Sequence, residues 1–464
     1  MMTVADNGDA GASWWAWAAA VLLVVAVYHD VRRDVRRLIS ARNVVLFGLF
    51  VWYLLEAIQG PPEVFRYGAT AYKYAVVLVM IAAVSFLAGY HGSSARWFDG
   101  CGRRVARLGD RDFRRQTLIV GVLLGSIPVV LYGLADPAET LRGLIAGRAG
   151  WRGTLVRPAL GDFRAAVVMI ETFLLAVAWV AMLILGDKRR SRGITLVAAA
   201  VLAWHMMRAY GTGSRSVVFL ALLIPAAWLY WRCDARRQRG LLIAAIPCAM
   251  LFYWFAGAMV EGRKEGRLEF AKAPSYVGHE MFRELLFVLD QVPEKRPYLY
   301  GETMAIELVN PIPRFLWPGK PVGFGVTYAE WQGQDPLHGG PTISPGILGE
   351  MYINGGVIAV ILLNIFGGIV CRAWDRIGPQ RTRSLPVLMF YSLGLGCLLM
   401  LGRSLSLPLF YQMFAAMICI GIVAARSRRG RPAAQGGPGV SAFPGEGCRS
   451  RLGGWASPSP SSEG

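Results

Sequence analysis

Charge is scarce in this chain. Only 17% of its 464 residues are Asp, Glu, Lys or Arg, against 55% hydrophobic. With a mean hydropathy of +0.41, that composition excludes an ordinary soluble domain and an extended disordered chain alike. Cysteine is also sparse, at 7 residues. Cys101, Cys233, Cys371 and Cys448 fall in loops predicted to be cytoplasmic, and Cys248, Cys397 and Cys419 fall in apolar runs. No disulfide framework is expected, and no CxxC pair points to a metal. The 5 histidines form no H-x-x-x-H pair, the external loops hold no DxD, and there is no Walker A pattern. No metal, nucleotide or other cofactor is therefore predicted. The start, MMTVADNGDAGA, lacks the basic residues of a cleavable leader, so the first apolar run reads as a span.

What the chain has in abundance is long apolar runs. Eleven are long enough, or nearly so, to cross about 30 Å of hydrocarbon. They lie near 12–28, 44–59, 71–90, 117–135, 163–185, 194–210, 216–231, 241–260, 346–370, 385–401 and 407–425. The fold class read from them is all-α: a polytopic membrane protein of about eleven transmembrane helices with one large external loop, 261–343, between helices 8 and 9. Residues 1–425 form the membrane domain. Residues 426–464, rich in Gly, Pro and Ser, read as a disordered cytoplasmic tail.

Base outweighs acid, 49 to 30, for a net charge of +19. The excess is not a nucleic-acid patch. Of the 49 Lys and Arg residues, 30 lie in the tail or in loops 29–43, 91–116, 186–193, 232–239 and 371–384. Those loops all fall on one side of an eleven-span chain. The positive-inside rule then puts the N-terminus outside and the C-terminus in the cytoplasm of a cytoplasmic (inner) membrane protein.

The stretch from Tyr298 to Glu350 is unlike its flanks. It holds Pro311, Pro313, Pro318 and Pro321, several glycines and many polar side chains. Irregular backbone of this kind cannot face lipid. Just before it, His279 to Val292 sets Phe282, Leu285, Leu286 and Leu289 at helical spacing. That pattern predicts an amphipathic helix, lying on the membrane, covering a cavity or simply packing within the loop. Val322 to Gly340 reads as open loop.

Candidate general bases are Glu350, His338 and Asp335, with Glu330 and Glu302 behind them. Glu350, in GEMYINGG, sets a carboxylate at the outer end of a span, where an unpaired charge is expensive; the alternative is an acid favoured by the helix N-terminus. Candidate anion ligands are Arg215 in RAYGTGSRS, Arg314 in NPIPRFLWPGKP with Lys320, Arg148 and Arg152 in GRAGWRG, and Arg403 in LGRSLSLP. Arginine beside glycine suits a diphosphate, because backbone approaches closely and guanidinium donates in a fork. The competing readings make Arg148 and Arg152 solvated loop charges or headgroup anchors, Arg215 a headgroup anchor, and the segment around Arg314 a rigid wall with Trp317 as an interfacial anchor. Glu56 reads as a snorkelling residue at the end of the second span, and His205 as a packed one.

With GTGSRS opening a span, NPIPRFLWPGKP and SPGILGEMYINGG in a late external region, the chain resembles the bacterial O-antigen polymerases, also called oligosaccharide repeat unit polymerases. The likeness covers roughly 200–425 in motif and most of the chain in layout. It implies a membrane glycosyltransferase of surface polysaccharide biosynthesis, acting at the outer face on undecaprenyl-diphosphate-linked repeat units. It further implies that Arg215, Arg314 and Arg148 or Arg403 hold the diphosphate while a nearby base deprotonates the acceptor hydroxyl. Its partners would be the lipid-linked oligosaccharide, membrane lipids and other polysaccharide-export proteins, with no nucleic acid. Other readings are an O-antigen ligase with the same donor, a lipid-linked glycan flippase or transporter, and a structural member of an export complex.

Overall fold

A computed structural model describes residues 9–60, 66–106, 281–309, 316–334, 343–378 and 385–402, with Ile312 and most of 226–247. Every regular element among them is helical. We label the main ones α1 (Asp9–Val31), α2 (Ala41–Gln59), α3 (Gly68–Gly92), α4 (Asp99–Ala106), α5 (Met281–Gln291), α6 (Glu302–Val309), α7 (Phe324–Trp331), α8 (Gly346–Asp375) and α9 (Leu385–Leu401).

Among the described residues, four helices are long and apolar enough to cross a membrane: Trp14–Val31, Ala41–Gln59, Gly68–Gly92 and Gly346–Asp375. They correspond to the predicted first, second, third and ninth spans. The predicted tenth span is the helix α9, a 17-residue segment. At 1.5 Å per residue, the 25 residues of α3 reach roughly 37 Å, more than the hydrocarbon thickness. The outward faces suit a lipid environment. Ile358, Leu362 and Phe366 form an exposed stripe at four-residue spacing on α8, and α1 exposes Val21, Leu22, Val24 and Val25. Such continuous apolar surface marks a membrane protein. The predicted spans at 117–135, 163–185, 194–210 and 407–425, most of those at 216–231 and 241–260, and the tail lie outside the described residues.

Glycine sets how closely the helices pack. A Cβ built on Gly89 of α3 would sit 2.0 Å from the Ile365 carbonyl oxygen, and one on Gly368 of α8 would sit 2.1 Å from that of Phe86. The two backbones touch, as small residues allow inside membranes. On α9, Gly394 receives the Trp374 indole, and just past its end Gly402 receives that of Trp52. The Trp52 Nε1 donates to the Leu399 carbonyl at 2.9 Å and Tyr53 Oη to that of Gly402 at 3.2 Å.

The two ends of this bundle differ in chemistry. At one end the described parts of loops 29–43, 91–116, 232–239 and 371–384 meet. Asp375, in the last turn of α8, accepts from Ala41 N (2.8 Å), Arg42 N (3.3 Å), Tyr90 Oη (2.8 Å) and Tyr391 Oη (2.5 Å). Asp30 pairs with Arg37 at 3.1 Å and Arg42 at 3.3 Å, and Arg376 lies 3.5 Å from Asp99. Tyr230, beside the loop at 232–239, donates to the Val35 carbonyl. At the other end lie Glu56, Tyr298, Phe282, Gly346 and Gly402. The helices α2, α3, α8 and α9 each reach from one end to the other.

Two local expectations are corrected. The Val322–Gly340 stretch is not open throughout, because α7 forms within it. Phe324, Tyr328 and Trp331 stand four and three residues apart, on one helical face. Tyr328 meets Phe287 of α5 edge-on at 5.8 Å, and Trp331 meets Phe324 at 5.6 Å. Likewise α8 is not one rod. Gly355 and Gly356 leave helical geometry, so 346–354 is a separate half-helix and 357–375 continues beyond the break.

Candidate functional site

The half-helix 346–354 carries Glu350, which is only 6% exposed. It starts after Pro345, and Ser344 Oγ accepts the Gly346 N–H at 3.3 Å. Glu350 lies a turn inside, beyond the positions that a helix N-terminus favours for acids, so burial against its neighbours is its dominant condition. Tyr53 of α2 lies within electrostatic reach of Glu350, and its hydroxyl accepts the Leu348 N–H at 3.0 Å. The half-helix is buried on nearly every side, whereas the part of α8 beyond the break exposes its apolar stripe.

The start of the 298–350 stretch is tied to the far end of that half-helix. Leu299 N donates to the Ile353 carbonyl at 2.9 Å, and Gly301 N donates to Asn354 Oδ1 at 2.8 Å. Asn354 Nδ2 in turn reaches Thr303 Oγ1 at 2.6 Å and the Glu350 carbonyl at 2.7 Å. One amide side chain thus serves both the last turn of the half-helix and the 301–303 segment packed against it. The break itself needs glycine. Gly356 has φ 63° and ψ −150°, a region that is nearly glycine-only. Its missing Cβ would lie 2.9 Å from the Tyr298 hydroxyl. Beyond it, Tyr300 holds a left-handed φ of 44° while 82% exposed. A strained, exposed aromatic of this kind is typical of ligand-contact positions.

A second anchor fixes α5. Glu56 does not snorkel; it is buried, and its Oε2 accepts from Phe282 N at 2.7 Å and Arg283 N at 3.4 Å. A carboxylate at the first amides of α5 satisfies donors and meets the positive end of the helix dipole. Phe282 beside it is fully buried and packs edge-on against Tyr72 at 5.2 Å. The expectation gave α5 a place on the membrane, over a cavity or packed within the loop; it packs, and on this face against the bundle itself. On its other side α5 holds α7 through Glu284, which is buried, pairs with Arg283 at 3.1 Å and accepts from Tyr328 Oη at 2.9 Å and from Gln332 Nε2. Burial first, and then the Glu284 charge, push the Tyr328 hydroxyl well above its ordinary pKa. It stays a donor throughout the physiological range.

Of the other predicted candidates, Lys320 is buried, and its Nζ donates to the Ile312 carbonyl at 2.9 Å. It therefore pins the proline-rich segment to itself. Glu302 and Glu330 are solvent-exposed. His338, Asp335, Arg215, Arg314, Arg148, Arg152, Arg403 and His205 lie outside the described residues. Among the described residues, no three His, Cys, Asp or Glu side chains group as metal ligands.

Comparison with known protein families, with curated proteins and with solved structures finds no match.

Asn354, Thr303 and Tyr298 were missed by sequence reasoning, although the signal was present. Asn354 follows Glu350 by one helical turn and precedes two glycines in INGG. Asparagine before a glycine pair inside an apolar run signals a helix break with a capping side chain. What the arrangement offers chemically is a carboxylate held in a dry half-helix, beside an irregular stretch rich in hydrogen-bonding groups.

Proposed function

We propose that this chain polymerises polyprenyl-diphosphate-linked oligosaccharide repeat units, as a membrane glycosyltransferase of surface polysaccharide biosynthesis. The reaction takes place at the end of the bundle that bears the 298–350 stretch. By the positive-inside rule that end faces outward from the cytoplasmic membrane, with the N-terminus outside and the C-terminus in the cytoplasm.

The observation that carries this reading is the placement of Glu350. A carboxylate is costly to bury in a membrane protein, and such a residue is a functional hypothesis by default. This one sits at the end opposite the basic loops, where chemistry on an external substrate belongs. In the reaction, an acceptor hydroxyl attacks the anomeric carbon of the donor glycan. The C1–O bond to the diphosphate breaks, the hydroxyl proton passes to the carboxylate, and polyprenyl diphosphate departs. Arg215 and Arg314, assisted by Arg148, Arg152 or Arg403, stabilise the charge that develops on the diphosphate. Lys320 ties Ile312 to the residues eight positions on. The exposed Tyr300 offers a flat apolar surface to a sugar ring.

The test is purified protein in liposomes supplied with lipid-linked repeat units, with products resolved by size. Wild-type protein is expected to give a ladder of multiple repeat units, and Glu350→Gln to slow it about 100- to 10,000-fold, the usual contribution of a general base. An unchanged rate in Glu350→Gln would pass the base role to Asp335 or His338. Single transfer to a lipid A core acceptor without a ladder would identify a ligase, and movement of intact lipid without new bonds a flippase.

A further inference from the structure

The opposite, basic end carries a second cluster that the proposed chemistry does not use. Around His91, in the last turn of α3, lie His29 and Asp30 from α1, Arg42 from α2 and Arg372 from α8. Both histidines are exposed. Arg42 is 5% exposed, and although its terminal nitrogens reach Asn43 Oδ1 (2.8 Å) and the Ala26 carbonyl (3.1 Å), its buried Nε has no hydrogen-bond partner. The Arg372 guanidinium lies 5.2 Å above the Tyr90 ring, and its buried Nε is likewise without a partner. Asp30 is already shared between Arg37 and Arg42, and Asp375 is filled by Ala41, Arg42, Tyr90 and Tyr391. Among the described residues, no carboxylate pairs with Arg372, which also hydrogen-bonds the Tyr90 hydroxyl.

The cluster lies where the lipid-facing surface ends. Trp97 is exposed and packs on Phe366, the last member of the α8 stripe, at 6.2 Å, and Tyr28 on α1 is exposed next to His29. Exposed Trp and Tyr at the end of an apolar stripe mark the headgroup level of a bilayer. Cations at that level, recessed between helices, suit a phosphodiester whose acyl chains run along the apolar faces of α1 and α8.

We propose that the ends of α1, α3 and α8 form a binding site for the phosphate headgroup of an anionic phospholipid, with Arg372 as its main ligand and His29 and His91 as donors at its mouth. The lipid phosphate meets the half-buried Arg372 side chain from outside, and so braces the junction at which Asp375 joins α2, α3, α8 and α9.

Native mass spectrometry of the full-length, delipidated protein tests the site, with phosphatidylglycerol, phosphatidylcholine and inorganic phosphate as probes. Wild-type protein is expected to retain phosphatidylglycerol in preference to phosphatidylcholine. Arg372→Gln should weaken that retention about fivefold, as loss of one headgroup-level cation does. His91→Gln, at an exposed position that leaves the core intact, should weaken it in the same direction, and Arg103→Gln, an exposed arginine on α4, should not. Equal retention by Arg372→Gln and His91→Gln and the wild type would overturn the proposal, as would equal retention of the two lipids. Displacement of phosphatidylglycerol by millimolar inorganic phosphate would show a site for a soluble anion and overturn the lipid assignment.

Discussion

At the scale of single residues, the loop-bearing end depends on two anchors whose removal has distinct signatures. Glu56 supplies the acceptor for the first amides of α5. Glu56→Ala should cost about 1–2 kcal/mol, the usual loss on removing a helix cap, and lower the thermal midpoint of the purified protein. Glu56→Gln keeps an acceptor oxygen and should lose distinctly less, and equal losses would deny Glu56 a capping role. Gly356 is constrained twice, by its backbone angles and by the Tyr298 hydroxyl. Gly356→Ala is therefore expected to destabilise by about 1–3 kcal/mol. Adding Tyr298→Phe removes the clashing oxygen and should recover part of that loss, but not the share due to backbone strain. Full recovery, or none, would refute this division.

Among elements, the α3–α8 contact is set by backbone approach and not by side-chain interdigitation. Gly368→Ala would drive a methyl into the Phe86 carbonyl at 2.1 Å, and no rotamer change can relieve it. Its expected outcome is loss of monodisperse protein on size-exclusion chromatography. Gly92→Ala, at a position with nothing within 4 Å, should behave as wild type. The existence of these helices was legible in the sequence, since apolar runs near 12–28, 44–59, 71–90, 346–370 and 385–401 each match a helix. Hydropathy does not register a break inside such a run, because Asn354, Gly355 and Gly356 occupy only three positions in 30 apolar-rich ones. The helix α7 was hidden for the opposite reason. Its Phe324, Tyr328 and Trp331 carry a helical period, but the glycines and prolines on both sides outweigh a segment of 8 residues. The candidate site was legible as far as Glu350. Its supporting contacts join Leu299, Gly301 and Thr303 to Ile353 and Asn354, about fifty positions away, and no local pattern encodes that pairing.

For the molecule as a whole, the organising fact is the difference between its two ends. Among the described residues, basic loops share an end: Asp30 to Arg42, Tyr90 to Asp99, Tyr230 to Gln238 and Arg372 to Arg376. The buried Glu350, the Glu56 cap and the exposed Tyr300 lie at the other. The functional proposal requires that second end to face outward, where lipid-linked glycans are joined. Sidedness is therefore its most direct test. In a background free of native cysteines, Tyr300→Cys and Arg103→Cys are treated in intact cells with a membrane-impermeant thiol reagent. Cys at 300 is expected to react at once and Cys at 103 only after the membrane is permeabilised. Reaction of 103 in intact cells with 300 protected would turn the protein over in the membrane and contradict polymerisation at the Glu350 end.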